Sequence, residues 1–328
     1  MRIAVAGATG LTGEVLLSLL PQSAFADADL VLLASERSRG KPIRVAERRF
    51  AVQKLTEDSF AGVDMAFFAL GDELSRKFVP LALAAGAHVV DKSNAFRMDP
   101  AVPLVVVGVN EERALGAELV ANPNCTTIGL AHILSALKPF GLEQVVVSSY
   151  QALSGAGRPA LEAFWKRLRT VRARTTRSPL DVYDPVAAEV LNLNPAIGAA
   201  EGLHFGEELK LKRESAKILE LTDTAIYATA VRVPTLVGHA LSVHTRLRHH
   251  ASTEDVHLAL EDNPNIFLLP DDEIPESSLA IAHRDRVVVG RVRAYFDEGI
   301  VELFAVSDNL HLGAALNALR IAECMLRA

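Results

Sequence analysis

Apolar positions along the chain alternate between two periods. Residues 2–6, 29–34, 63–70 (VDMAFFAL), 88–91 and 104–109 are short, nearly uninterrupted apolar runs, the composition of strands covered on both faces. Between them, residues 14–20 and 74–85 repeat apolar side chains at helical spacing. Strands alternating with helices in this way predict a doubly wound α/β domain. After residue 124 the order changes. A buried helix is predicted from Cys125 through Ile128, Leu130, Ile133, Leu134 and Leu137, then strands at 144–149, 225–233 and 240–247 and a hairpin at 287–296 and 300–306. Helices are predicted at 159–172, from Gly206, at 253–262 and at 313–326. The expected division is a first domain over 1–124, a second α+β domain over 125–307, and a terminal helix (308–328) that returns to complete the first. Residues 175–203, with their prolines and asparagines, fit neither period.

Glycines place a ligand on the first domain. Gly7-Ala-Thr-Gly-Leu-Thr-Gly13 joins the first strand to its helix, a spacing of glycines that lets backbone approach a pyrophosphate at a helix N-terminus. Gly7, Thr9, Gly10, Leu11, Thr12 and Gly13 are therefore candidate cofactor contacts in a Rossmann-type domain. The second strand ends in Ser35-Glu-Arg-Ser38. Basic and hydroxyl groups here suit a ribose 2′-phosphate, so Ser35, Arg37 and Ser38 point to NADP.

Charge and length narrow the class. The 328 residues carry a net charge of −6 with basic residues scattered among acidic ones, unlike the basic stripe of a nucleic-acid binder. No apolar run approaches a membrane span, and the first residues enter a strand without signal-peptide features. Two cysteines read as reduced thiols. A cytoplasmic protein without a metal is expected.

Chemistry gathers downstream. Pro123 favours extended chain before it, which puts Cys125 at a helix N-terminus, where the helix dipole favours a thiolate nucleophile. Gln151 precedes the turn Ser154-Gly-Ala-Gly157, and Ser154 and Gly155 are expected to face the cofactor. Arg232 and His239 flank a Pro and Gly turn that can aim both into one cleft, and His239 suits acid–base work. Glu207 and Lys210 share one helix face. Arg97 follows a strand, where anions gather, and the terminal segment is expected to carry Asn309 toward the nicotinamide.

Taken in order, GATGLTG, ASERSRGK, NPNCTT, SYQALSGAG, EELK with KIL, RVPTLVGH and SDNLHLGAALNALRIAE resemble the aspartate-β-semialdehyde dehydrogenase family nearly end to end. The resemblance implies a Rossmann domain joined to a catalytic and dimerisation domain. It implies NADP-dependent interconversion of aspartate semialdehyde and aspartyl phosphate through a cysteine thioester, with inorganic phosphate as partner and a homodimer or homotetramer as assembly. The implied roles are Cys125 as nucleophile, His239 as acid–base group, Gln151 as positioning residue, Arg232 for the substrate carboxylate and Glu207 for its amino group. Arg97, Asn124 and Lys210 fall on the phosphate site. The chain departs from the family's usual pattern at Val107-Gly-Val-Asn110, where a glutamate is missing, and at Glu36 inside the cofactor loop. Two other readings fit the same residues less well: a reductase of N-acetyl-γ-glutamyl phosphate, and a silent paralogue that keeps the fold as a binding module.

Overall fold

The computed structural model describes residues 1–174 and 184–327. Residues 175–183 of the unassigned stretch lie outside them. The first part of the chain runs β1 (Arg2–Ala6), α1 (Leu11–Leu19), β2 (Asp29–Ala34), a hairpin of β3 (Pro42–Val45) and β4 (Arg48–Ala51), β5 (Gln53–Lys54), β6 (Met65–Phe68), α2 (Asp72–Ala84), β7 (His88–Asp91) and β8 (Leu119–Ala121). Apart from the β3–β4 hairpin, these strands form a parallel sheet in the order β5-β2-β1-β6-β7-β8. Met65 to Phe68 are all buried, as a strand covered on both faces requires.

One apolar expectation fails. Residues 104–106 are buried, but among the described residues the stretch 104–109 makes only a single bridge, Leu104 to Ala121, and the sheet edge is β8 instead. Pro103 has no N–H to offer a ladder, and side-chain amides take over the rest. Asn110 Oδ1 accepts from Val106 N–H, and Asn317 Oδ1 accepts from Val107 N–H while its Nδ2 donates to Val105 O. Burial drives the segment in without strand pairing.

The second part contains α3 (Cys125–Leu137), β9 (Leu142–Gln151), α4 (Arg158–Arg174), α5 (Pro185–Val190), β10 (Ala200–Glu201), β11 (His204–Phe205), α6 (Gly206–Leu219), β12 (Ala225–Arg232) and β13 (His239–Leu247). It continues through α7 (Thr253–Glu261), β14 (Ile266–Leu268), α8 (Ser277–Ala282), β15 (Val287–Tyr295) and β16 (Ile300–Ser307). A mixed sheet runs β12-β9-β13-β16-β15-β14, with β12 parallel to β9 and the central pairs antiparallel. Its inner face packs Val145, Val147, Leu241, Val243 and Leu303 against Ile128, Leu130, Ile133 and Leu134 of α3. The outer face leaves Val146, Tyr150 and Tyr227 exposed, the alternation of a sheet with one covered side.

The chain then returns to the first sheet. A wide π-helical turn (His311–Leu316) leads into α9 (Asn317–Met325), whose Ala318, Leu319, Ile321, Ala322 and Met325 join Ile3, Val5, Leu16 and Met65 in one core. No helix among the described residues is long and apolar enough to cross a membrane.

Candidate active site

The two sheets meet at Cys125. Asn124 is extended (φ −60°, ψ 143°) and its side chain accepts from Thr126 N–H at 2.9 Å, so α3 begins at Cys125 with a side-chain cap. The wide turn of the C-terminal segment lies directly against it. A Cβ on Gly313 would stand 3.0 Å from Cys125 Cβ and 3.1 Å from its carbonyl oxygen, so glycine permits the contact.

The second sheet delivers the other groups. Gln151 and Arg232 are register partners at the ends of β9 and β12, and His239 opens β13. His239 Nε2 lies 3.2 Å from Cys125 Sγ. Arg232 Nη1 donates to Ala152 O at 2.6 Å. A Cβ on Gly155 would fall 2.8 Å from Arg232 Nη1 and 3.2 Å from the His239 ring, so the Pro and Gly turn does bring both side chains to one place. Asn309 ties the segments together, donating to Ser154 Oγ at 2.9 Å and accepting from Gly238 N–H at 3.0 Å.

A cavity of about 220 Å³ opens beside the sulfur, and Thr12, Arg97, Asn124, Ser154, Glu207, Lys210 and Asn309 of the expected residues line it. Glu207 is buried; it accepts from Lys210 Nζ (2.5 Å), Asn124 Nδ2 (2.9 Å) and, more weakly, Gln151 Nε2 (3.4 Å). Burial acts to raise its carboxyl, but the Lys210 charge and these donors outweigh it and hold Glu207 below the usual carboxylate range.

Electrostatics alters two expectations. Burial pushes the Cys125 thiol up and the Glu207 charge adds to this, against the charges of Lys92 and Arg97. The helix N-terminus alone therefore does not leave a thiolate. His239 is held neutral, its pKa lowered to about 3 by burial and by Arg232. Ala152 N–H donates to its Nδ1 at 3.0 Å. A neutral imidazole that accepts at Nδ1 carries its proton on Nε2, so His239 faces the sulfur as a donor.

Arg97 is more committed than its loop position suggests. It is 6% exposed, and four of its five N–H groups already donate, to Asn122 O, Asn94 Oδ1, Glu214 Oε1 and Lys92 O. It offers an anion one N–H, not a fork. Glu214 escaped the sequence reading. Its other oxygen accepts from Asn124 N–H at 2.7 Å, so it ties Arg97 to the start of α3. Lys92 escaped as well, though the first polar residue after an apolar strand is where ligands gather in such sheets.

At the dinucleotide site, Gly7 has φ +93°, and a Cβ there would lie 2.4 Å from Ala69 O; one on Gly13 would lie 2.3 Å from Gly7 O. Only glycine fits either position, which leaves a backbone cradle at the N-terminus of α1 that suits a pyrophosphate. Helix α1 begins at Leu11, earlier than expected, which places Leu11 and Thr12 in its first turn. Thr9 Oγ1 approaches Ser38 Oγ at 3.5 Å, joining the cradle to the tip of β2. Glu36 pairs with Lys54 (3.1 Å) and Arg39 (3.5 Å), and the Lys54 bond chiefly lowers its pKa. Arg37 is exposed, with no ion pair among the described residues.

Residues 2–117 match the semialdehyde dehydrogenase NAD binding domain, and residues 133–312 match the semialdehyde dehydrogenase dimerisation domain. The chain is 35% identical to the aspartate-semialdehyde dehydrogenase of Bacillus subtilis, over 99% of this chain and 97% of that one. It is 36% identical to aspartate-semialdehyde dehydrogenase 2 of Vibrio cholerae, over 99% and 97%. The chain belongs to the aspartate-semialdehyde dehydrogenase family. Within the family, the crystal structure of aspartate semialdehyde dehydrogenase II from V. cholerae superposes with a TM-score of 0.90 at 34% identity, covering 99% of this chain and 98% of that one. A second structure of that enzyme, complexed with ASA, gives 0.89. The family's mixed α/β architecture, with a parallel N-terminal sheet and a second domain, is the one described above.

Proposed function

We propose that this protein interconverts L-aspartate 4-semialdehyde and L-aspartyl 4-phosphate, using NADP and inorganic phosphate, in the biosynthesis of lysine, threonine and methionine from aspartate. The observation that carries the reading is the Cys125 sulfur, 3.2 Å from a neutral His239 at the start of α3 and opening onto a cavity with paired Glu207 and Lys210.

In the oxidative direction the Cys125 thiolate adds to the aldehyde carbon, forming the C–S bond while the carbonyl pair becomes an alkoxide. His239 Nε2–H donates to that oxygen and stabilises its charge. When bound, the oxidised dinucleotide supplies the hydride acceptor that turns the adduct into a thioester. A phosphate oxygen then attacks the acyl carbon, the C–S bond breaks, and the electron pair returns to Cys125. Arg232 holds the α-carboxylate with the N–H groups not engaged by Ala152 O. Glu207 receives the α-ammonium, and Gln151 orients the reacting carbonyl. Lys210, Asn124 and the remaining N–H of Arg97 hold the phosphate.

The cradle over 7–13 would hold the dinucleotide pyrophosphate, with Ser35, Arg37 and Ser38 toward a 2′-phosphate; Glu36 is already neutralised by Lys54 and Arg39. Ser154, Gly155 and Asn309 would face the nicotinamide end. The exposed apolar face carrying Val146, Tyr150 and Tyr227 suits pairing of two copies into a homodimer.

A steady-state assay tests the reading. Aspartate semialdehyde, phosphate and NADP⁺ should give phosphate-dependent cofactor reduction that disappears in Cys125→Ala. Activity in the reverse direction with N-acetyl-γ-glutamyl phosphate and NADPH, and none with the aspartate compounds, would overturn it.

A further inference from the structure

Lys92 stands directly after β7 and projects into the cavity between the two helix N-termini. Its Nζ donates to Thr12 Oγ1, in the first turn of α1, at 2.8 Å. It shares that cavity with Cys125, at the first turn of α3. A cation so placed belongs to both halves of the site.

The resting geometry leaves the nucleophile short of one partner. His239 is a donor at Nε2, so while Ala152 holds Nδ1 it has no lone pair to take the thiol proton. Glu207, the carboxylate whose charge acts on the sulfur, opposes a thiolate. A thiolate here needs a nearby cation.

The other charged groups around the sulfur are engaged. Lys210 is paired with Glu207 at 2.5 Å, and Arg97 with Glu214 at 3.0 Å. Arg232 donates to the neutral Ala152 O and also has no ion pair among the described residues, but its remaining N–H groups are assigned to the substrate carboxylate. Asp91, beside Lys92, accepts from Ser75 (2.8 Å) and Ser93 (2.5 Å), and Asp72 accepts from Asn94 N–H. Lys92 donates to a neutral hydroxyl and has no ion pair among the described residues. Burial lowers its own pKa, and the Cys125 charge is the strongest influence in the opposite direction.

We propose that Lys92 is the positioning cation that favours the Cys125 thiolate from across the cavity. It rests on the reading of Cys125 as nucleophile and adds a residue to it. The ammonium and the thiolate favour one another, so the two titrate as a coupled pair. Because Lys92 also touches the cofactor cradle, the charge that activates the sulfur is anchored where the dinucleotide binds.

The test is the pH dependence of Cys125 alkylation by iodoacetamide, a neutral reagent, in a Cys324→Ala background. Wild type, Lys92→Met, Lys92→Gln and Lys92→Arg are compared, with NADP⁺ affinity measured alongside by fluorescence. At neutral pH the two uncharged variants should alkylate about tenfold more slowly, their profile displaced by about one unit to higher pH, and Lys92→Arg should restore most of the rate. Superimposable profiles for wild type and the uncharged variants would overturn the proposal. So would weakened NADP⁺ binding with an unchanged profile, which would assign Lys92 to the cofactor alone. The assay requires no substrate or turnover, so a wrong substrate would leave the profile shift intact while abolishing activity in the assay above.

Discussion

Glu214 is expected to couple stability to the site more strongly than any exposed acid. Its side chain is 2% exposed and that of its partner Arg97 7%. One oxygen accepts from Arg97 Nη1 at 3.0 Å, the other from Asn124 N–H at 2.7 Å, one residue before Cys125. Removing one partner of a buried pair leaves an uncompensated charge, at about 3–5 kcal/mol, and Glu214→Ala should lose that much. Glu214→Gln keeps the shape, but its single acceptor oxygen cannot serve both donors, and its NH₂ would face one of them. A loss of about 2 kcal/mol or more is expected. Urea unfolding with an unchanged slope measures the stability change. Steady-state kinetics should show at least a tenfold fall in kcat/KM for phosphate, because Arg97 and the cap of α3 lose their common support. A Glu214→Ala protein within about 1 kcal/mol of wild type, or with an unchanged kcat/KM for phosphate, would refute the reasoning.

Other expectations follow from single contacts. Gly155→Ala would put a methyl 2.8 Å from Arg232 Nη1; the flexible side chain can yield, so melting should change little while KM for the semialdehyde rises about tenfold or more, read from paired melts and kinetics. His132 is buried with Nδ1 unpartnered, and burial first and Arg320 second lower its pKa from 6.5 to about 3. The unfolded chain therefore binds the extra proton between about pH 6.5 and 3, and stability falls as pH drops through that window. At pH 5 the contribution is about 2 kcal/mol, so His132→Leu should lose less stability than wild type between pH 7 and 5 in urea titrations. Arg37→Ala with Ser38→Ala should lower the NADP⁺ over NAD⁺ preference in kcat/KM at least tenfold; an unchanged ratio would remove these residues from the cofactor site.

Much of the fold was legible because local rules and tertiary demands agree. The uninterrupted apolar run at Met65–Phe68 could only be a covered strand, and the glycines over 7–13 stand where a Cβ would strike backbone. Residues 104–109 misled because a buried apolar run was satisfied by Asn110 and Asn317, one of them more than two hundred residues away. Gly313 reads as an ordinary helix residue until the wide turn presses it against Cys125. The proton on His239 depends on a backbone N–H of Ala152, eighty-seven positions distant, and no motif records it. Arg97 was found by position, but its four internal bonds come from loops and a helix brought together by folding. Sequence patterns picked out side chains that the fold gathers around one cavity; their protonation and their free valences come from the packing around them.

The central claim is that Cys125 forms an acyl intermediate which phosphate resolves. Rapid mixing of the protein with aspartate semialdehyde and NADP⁺, first without phosphate, tests it most directly. One equivalent of reduced cofactor per site should appear and stop, mass spectrometry should find the acyl group on Cys125, and added phosphate should start steady turnover. Phosphate-independent turnover, or the same burst in Cys125→Ala, would contradict the account.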